Sequence, residues 1–259
     1  MNITDRKKDS NLPSDLFLIG TVHGDPRGYE RAVRLLEYLR PDIVTVEISP
    51  FSVRYRAAHQ DRWRRLFAAA LAALPPEAGE HPAIRQVAAR IDMPFEWLAA
   101  YAYGREYGAR WQAIDLSGPA REHLPRYAGE LLNPENLRQL LESDGRPLEE
   151  QAAAAYRRAR LSDRQPLWRV PGRDNGMTRL RERTMAARLR KLARRGRRVA
   201  HLGGWEHVAS WADGGGLYEL LRDLQPQRLF LDEADKEPGL TGIWPTAAIA
   251  AGGGGATRS

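Results

Sequence analysis

Leu16-Phe-Leu-Ile-Gly-Thr-Val-His-Gly24 and Ile43-Val-Thr-Val-Glu-Ile48, with one helical stretch between them, decide the reading of this chain. Leu16 to Ile19 is an apolar run bounded by Gly20, which reads as a short buried strand ending in Thr21-Val22-His23. Pro26 and Gly28 mark a turn. Residues 29–40 then place Val33, Leu36 and Leu39 at intervals of three, the spacing of an amphipathic helix. Pro41-Asp42 stops that helix, and the β-branched run from Ile43 to Ile48 reads as a second strand buried on both faces. Strand, helix and strand with short links form a βαβ unit of right-handed crossover. The fold class expected is α/β, a largely parallel central sheet with helices packed on both faces.

The polar residues of this unit carry its chemistry. Parallel strands end on one edge of their sheet, so His23 and Glu47 should converge there, at the edge where open α/β sheets take ligands. A carboxylate inside Val44–Ile48 is costly unless it is paired or ligates a cation. From this unit alone two readings stand. In one, His23 and Glu47 belong to a site; in the other, His23 caps a turn and Glu47 ends a strand in a salt bridge.

With 259 residues the chain can bury a substantial core as one α/β domain. No window is apolar for long enough to cross a bilayer. The first 14 residues are polar, with no apolar segment behind Lys7-Lys8, so neither a signal peptide nor a membrane span is expected. A soluble cytoplasmic protein is the expectation. The absence of cysteine excludes disulfides and thiolate metal sites. A net charge of +7 invites a nucleic-acid reading, but only four of the 40 basic residues are lysine and the arginines are spread among 33 acidic residues. The dense run Arg194-Arg195-Gly196-Arg197-Arg198 suits a helix C-terminus, and no aromatic ladder interleaves it. A nucleic-acid partner is therefore not expected.

Further along, residues 51–72 and 80–108 read as helices, the second broken at Met93-Pro94. Arg110 to Leu116 is a third strand carrying Asp115. Helices are expected near 119–130, 134–143 and 147–161, so that 51–108 and 119–161 form a helical insertion within one domain spanning 15–235. Residues 162–176 read as a loop or lid. Met177 to Arg195 is a long helix with Arg181, Met185, Leu189 and Leu192 on one face. Arg181 on that apolar stripe must snorkel or meet a carboxylate or oxyanion. Arg197 to Gly204 is a fourth strand and Arg228 to Glu233 a fifth, while 1–14 and 236–259 read as a polar extension and a disordered tail.

Gly20-Thr-Val-His23 and Gly204-Trp-Glu-His207 each set a histidine three residues after a glycine at a strand-to-helix junction, where glycine lets the backbone turn or approach a ligand. Two imidazoles with Glu47 would form a two-His, one-carboxylate site suited to Zn²⁺, Mn²⁺, Co²⁺ or Fe²⁺. His201, alternating with apolar neighbours, reads as a core histidine.

On these residues the chain resembles the TraB/Tiki family, distant relatives of erythromycin-esterase-like and ChaN-like proteins. The likeness covers residues 16–56 and 97–208. Gly20, Thr21 and His23 match its Gly-Thr-x-His, and Arg40-Pro41-Asp42 its basic-Pro-Asp turn. Val44 to Glu47 match its Val-x-Val-Glu, Gly108-Ala109 with Ile114-Asp115 its Gly-Ala and Ile-Asp, and Gly204 to His207 its closing Gly-x-x-His. Its Arg-Asp/Asn-x-x-Met-Ala falls on Arg181 to Ala186, with Glu182 in place of Asp or Asn. Glu206 stands where a small residue is usual, and the family's membrane-spanning C-terminal part has no counterpart.

The resemblance implies a metal-dependent hydrolase. His23, Glu47 and His207 would hold a divalent ion (Mn, Co or Zn), Glu182 or Glu206 would act as general base, and Arg181 would stabilise developing negative charge. Asp115 would orient the site from behind or cap the helix that follows it, and Gly20 and Gly204 would serve through their backbone. A peptide or small-molecule substrate is expected. The alternative is a non-catalytic domain that binds a peptide or haem in the same pocket.

Overall fold

A computed structural model describes residues 15–143, 145–162, 164–168, 176–193 and 197–236. The expected N-terminal extension, most of the 162–176 loop and the C-terminal tail lie outside the described residues. In chain order the elements are β1 (Leu16–Thr21), α1 (Gly28–Leu39), β2 (Ile43–Val46), α2 (Pro50–Leu71), α3 (Pro82–Ile91), α4 (Phe95–Tyr107) and β3 (Arg110–Ala113). There follow α5 (Ser117–His123), α6 (Tyr127–Leu131), α7 (Pro134–Leu141), α8 (Leu148–Leu161), α9 (Gly176–Ala193), β4 (Val199–Gly204), α10 (Trp205–Val208), α11 (Leu217–Leu220) and β5 (Gln227–Phe230), closed by a 3₁₀ turn at Leu231–Asp235. None of the described helices is long and apolar enough to cross a membrane.

Local chemistry sets the boundaries. Arg40 takes a left-handed conformation at φ 48° and returns its N–H to Leu36, ending α1 just before Pro41. Three helices begin on a side-chain cap followed by proline: Ser49-Pro50 for α2, His81-Pro82 for α3 and Asn133-Pro134 for α7.

All five strands are parallel, in the order β3-β2-β4-β1-β5. The α/β class is therefore as expected, but β1 and β2 do not pair. Their crossover leaves a slot one strand wide, and β4 fills it, with Val199 opposite both Leu16 and Ile43 and Leu202 opposite both Ile19 and Val46. The connections through α1 and α4 run one way across the sheet, those through α9 and α11 the other way. A common handedness assigns the two sets to opposite faces. Their contacts agree, α1 packing on α4 and α9 on α11.

The principal core joins the strands to α1, α4, α8 and α9. A second cluster, Trp63, Ile84, Val87, Ile91, Leu124, Leu132 and Leu137, holds α2, α3 and α5 to α7 together as a helical cap. The expected insertion thus divides, because α4 and α8 bury Ala99, Ala100, Tyr103, Ala152, Tyr156 and Ala159 against the sheet rather than in the cap.

Candidate functional site

Insertion of β4 brings its C-terminal end between the ends of β1 and β2, so that its Gly204–His207 turn lies beside the Gly20–His23 turn of β1. Glu47, one residue beyond β2, has a side chain 7 % exposed that accepts three hydrogen bonds from protein. Its Oε1 takes His207 Nε2 at 2.6 Å and Arg181 Nη2 at 2.7 Å, and its Oε2 takes the Gly204 N–H at 2.7 Å. Arg181 also grips Asp115 from two nitrogens, Nε at 3.0 Å and Nη2 at 2.8 Å. Asp115 lies beyond the end of β3 and also accepts the Leu116 N–H at 2.7 Å. One guanidinium thus joins the ends of two neighbouring strands.

Each histidine rests on a buried carboxylate. His207 Nδ1 meets Glu182 Oε1 at 2.7 Å, and His23 Nδ1 meets Glu96 Oε1 at 2.6 Å. Glu182 and Glu96 are both 2 % exposed, and the second oxygen of each is buried without a partner. Glu182 was expected, as an alternative to Glu206, to act as general base. The geometry instead sets it behind His207, outside the cleft lining, because the imidazole lies between α9 and Glu47. Adjacent positions of α9 therefore reach one site by different routes, and the deeper of the two is Glu182, not Arg181, whose side chain is 29 % exposed.

The electrostatics follow from these pairs. Burial works against a charged His207, but Glu47 and Glu182 outweigh it and push the ring up to about 10, so both ring nitrogens carry protons between their two carboxylates. Burial also works against ionised Glu47, and His207, His23 and Arg181 together hold it well below the usual carboxylate range. Glu96 draws His23 upward, although its side chain is 60 % exposed and solvent tempers the effect.

The sequence did not single out Glu96. The available signal was a lone acid in the apolar stretch Phe95-Glu-Trp-Leu-Ala-Ala100, the same argument that marked Glu47. Thr21 Oγ1 donates to the same Glu96 oxygen at 2.8 Å, so β1 and α4 meet at one carboxylate. Gly20 is required for packing: a Cβ there would come within 2.8 Å of the Phe230 ring and 3.1 Å of the Trp205 backbone. Gly204 differs, since a Cβ there would lie 3.5 Å from both His23 Nε2 and Glu47 Oε2 and 3.7 Å from His207 Cδ2. The missing methyl is the space these three side chains share.

His201 is fully buried in β4, as its alternation suggested, with Nδ1 3.0 Å from Thr45 Oγ1 and Nε2 unpartnered. Burial pushes it down to about 4. It is thus neutral when folded and takes up a proton on unfolding below its ordinary value of about 6.5. Its contribution to stability is complete above that pH and is lost as pH falls towards 4. Urea unfolding at pH 7.5 and 4.5 should show a parent whose acid loss exceeds that of His201→Leu by roughly 2–3 kcal/mol. Equal losses in the two proteins would remove His201 from the account of acid sensitivity.

The cleft over the site has a volume of about 530 Å³. His23, Glu47, Arg181, Gly204, Glu206 and His207 line its floor, and Gln86, Arg90, Leu148 and Gln151 of α3 and α8 line its wall. Gln86 Nε2 donates to Gln151 Oε1 at 2.7 Å, tying the two helices together. Among the described residues no group of three or more His, Asp or Glu side chains stands ready-spaced as a metal cage. Glu47 Oε1 and His207 Nε2 are bonded directly to each other at 2.6 Å. No protein-family model matches this chain, and no curated protein or solved structure matches it at a significant level.

Proposed function

We propose that the protein is a metal-dependent hydrolase acting on a carbonyl substrate of peptide type, in keeping with its resemblance to the TraB/Tiki family. One observation carries the reading. Two histidines, each with Nδ1 on a buried carboxylate, bring their Nε2 side to Glu47 around the space that Gly204 leaves. A carboxylate behind Nδ1 is the arrangement metal-ligating histidines show, fixing the ring and raising its basicity. His23, Glu47 and His207 would hold the ion, which would require His207 without its Nε2 proton.

Such an ion supplies Lewis acidity to a carbonyl and makes a water more acidic. The remaining work falls to the chain. Glu206, exposed on the cleft floor, accepts the proton of the attacking water at its carboxylate. Arg181 keeps Nη1 free of the bonds to Glu47 and Asp115 and faces the cleft, where it can donate to a developing oxyanion. Glu96 and Glu182 orient the two rings, and Asp115 orients Arg181.

A non-catalytic pocket for a peptide or haem is favoured by a different fact. Both oxygens of Glu47 and both nitrogens of His207 are already engaged within the protein, which leaves His23 Nε2 as the open donor. Elemental analysis after purification without added metal, then assay with Mn²⁺, Co²⁺ or Zn²⁺ on peptides and esters, separates the two. The hydrolase reading expects about one ion per chain and turnover that Glu206→Gln lowers by roughly 10²–10⁴-fold without loss of the ion. A parent that takes up no divalent metal and cleaves nothing overturns it.

A further inference from the structure

Asp25 stands two residues beyond His23, and its side chain is 1 % exposed. Its Oδ1 accepts the Arg27 N–H at 2.9 Å; its Oδ2 accepts the Tyr156 hydroxyl at 2.9 Å and Arg31 Nη1 at 2.6 Å. Tyr156, on α8 and 1 % exposed, also accepts the Val22 N–H at 3.3 Å. Its hydroxyl therefore closes on both ends of the turn Val22–Asp25, which carries its own bond from Asp25 N to Val22 O at 2.8 Å. Arg31 reaches on to Asp235 of the closing 3₁₀ turn, with Nη2 at 2.5 Å.

The turn Val22–Asp25 is thus gripped from α1, α4 and α8: Arg31 on Asp25, Glu96 on the His23 ring, and Tyr156 on the Val22 N–H and the Asp25 carboxylate. Simple packing does not require this. A buried tyrosine needs one partner for its hydroxyl, and Tyr103 makes do with the Pro41 carbonyl at 3.4 Å. Tyr156 spends both its donor and its acceptor on the segment that carries His23. The His23 side chain is 60 % exposed, so packing alone does not fix its place.

We propose that Tyr156 is a positioning residue: paired with Asp25, it holds the His23 turn at the edge of the sheet and links that turn to α8, the wall of the cleft. The inference rests on the reading of His23 as a ligand. Its consequence is directional. Tyr156→Phe keeps the packing and removes the link, so the backbone of 22–25 loosens and His23 Nε2 loses its fixed distance to Glu47. Groups that orient a ligand cost roughly 10–100-fold in metal affinity or activity when removed, and small misplacements at a reacting centre have effects of similar size.

The experiment uses the full chain, with Tyr156→Phe and Asp25→Asn beside Tyr103→Phe as a control for loss of a buried hydroxyl. The histidine Cε1–H NMR signals, with His23 assigned by His23→Gln, report ring position without any need for activity. The proposal expects the His23 signal to move in Tyr156→Phe and Asp25→Asn while that of His207 stays, and neither to move in Tyr103→Phe. Mn²⁺ affinity and kcat should fall roughly tenfold or more, with KM little changed. An unmoved His23 signal in a folded Tyr156→Phe protein overturns the proposal and makes the tyrosine plain packing. A signal that moves in Tyr156→Phe, with a parent that holds no Mn²⁺ and hydrolyses nothing, leaves the positioning standing and ends the metallohydrolase reading alone.

Discussion

Arg181→Met should be the most destabilising change at the site, by about 3–5 kcal/mol. The guanidinium binds Glu47 and Asp115 at once, and both carboxylates are largely buried, their side chains 7 % and 12 % exposed. Methionine keeps much of the side chain's volume but leaves two negative charges near one another without their shared cation. In a chain of this size that loss lowers the melting temperature by roughly 10 °C. Arg181→Lys should fall between the two proteins, because an ammonium is a point charge and cannot hold Asp115 from two nitrogens while reaching Glu47. Urea unfolding of the three proteins at pH 7.5 checks this. Equal stability for Met, Lys and Arg would show that the bridge between the ends of β2 and β3 does not support the fold.

On the proposed shared ion, replacing His23 and His207 should give effects that coincide in function and part in stability. His207 lies between Glu47 and Glu182, and its side chain is 11 % exposed. His207→Ala leaves both acids short of a partner and should cost about 3 kcal/mol or more. His23→Ala strips one bond from Glu96, which keeps Thr21, so the cost should be about 1–2 kcal/mol. Metal retention and hydrolysis should nevertheless vanish in either variant. The double variant should then be little worse than each single one in activity, since two ligands of one ion act as a unit. Chelator titration completes the measurement: an ion that binds only the folded state stabilises the parent, and chelator should have no effect on either variant. A parent insensitive to chelator would sink the shared-ion account, whatever the stability values.

Much of the site follows from residues that are costly where they stand. Glu47 in a β-branched run, Arg181 on an apolar helix face and a histidine after each strand-ending glycine are all visible without coordinates. The same cost applies to Glu96 among apolar neighbours, yet it was not singled out, since its partner lies 73 residues away and no local spacing points to it. Tyr156 and Asp25, 131 residues apart, sit in an alanine-rich helix and a proline turn that each have an ordinary local explanation.

The strand and helix segments, the α/β class and the expectation that His23 and Glu47 share an edge were set by the sequence alone, because periodicity and burial are local properties that each segment carries wherever it packs. Strand order was not. An apolar run buried on both faces can pair with any similar run, so nothing local says which strand lies beside β1 or β2. The tertiary structure decided that β4 enters between them, since their crossover leaves a gap of one strand and Val199 to Leu202 fill it in register on both sides. That choice brings His207 to Glu47 and puts Glu182, one of the two candidate bases, against the far side of its ring. A side chain's role at a junction depends on which neighbour the sheet supplies, and no single segment holds that information.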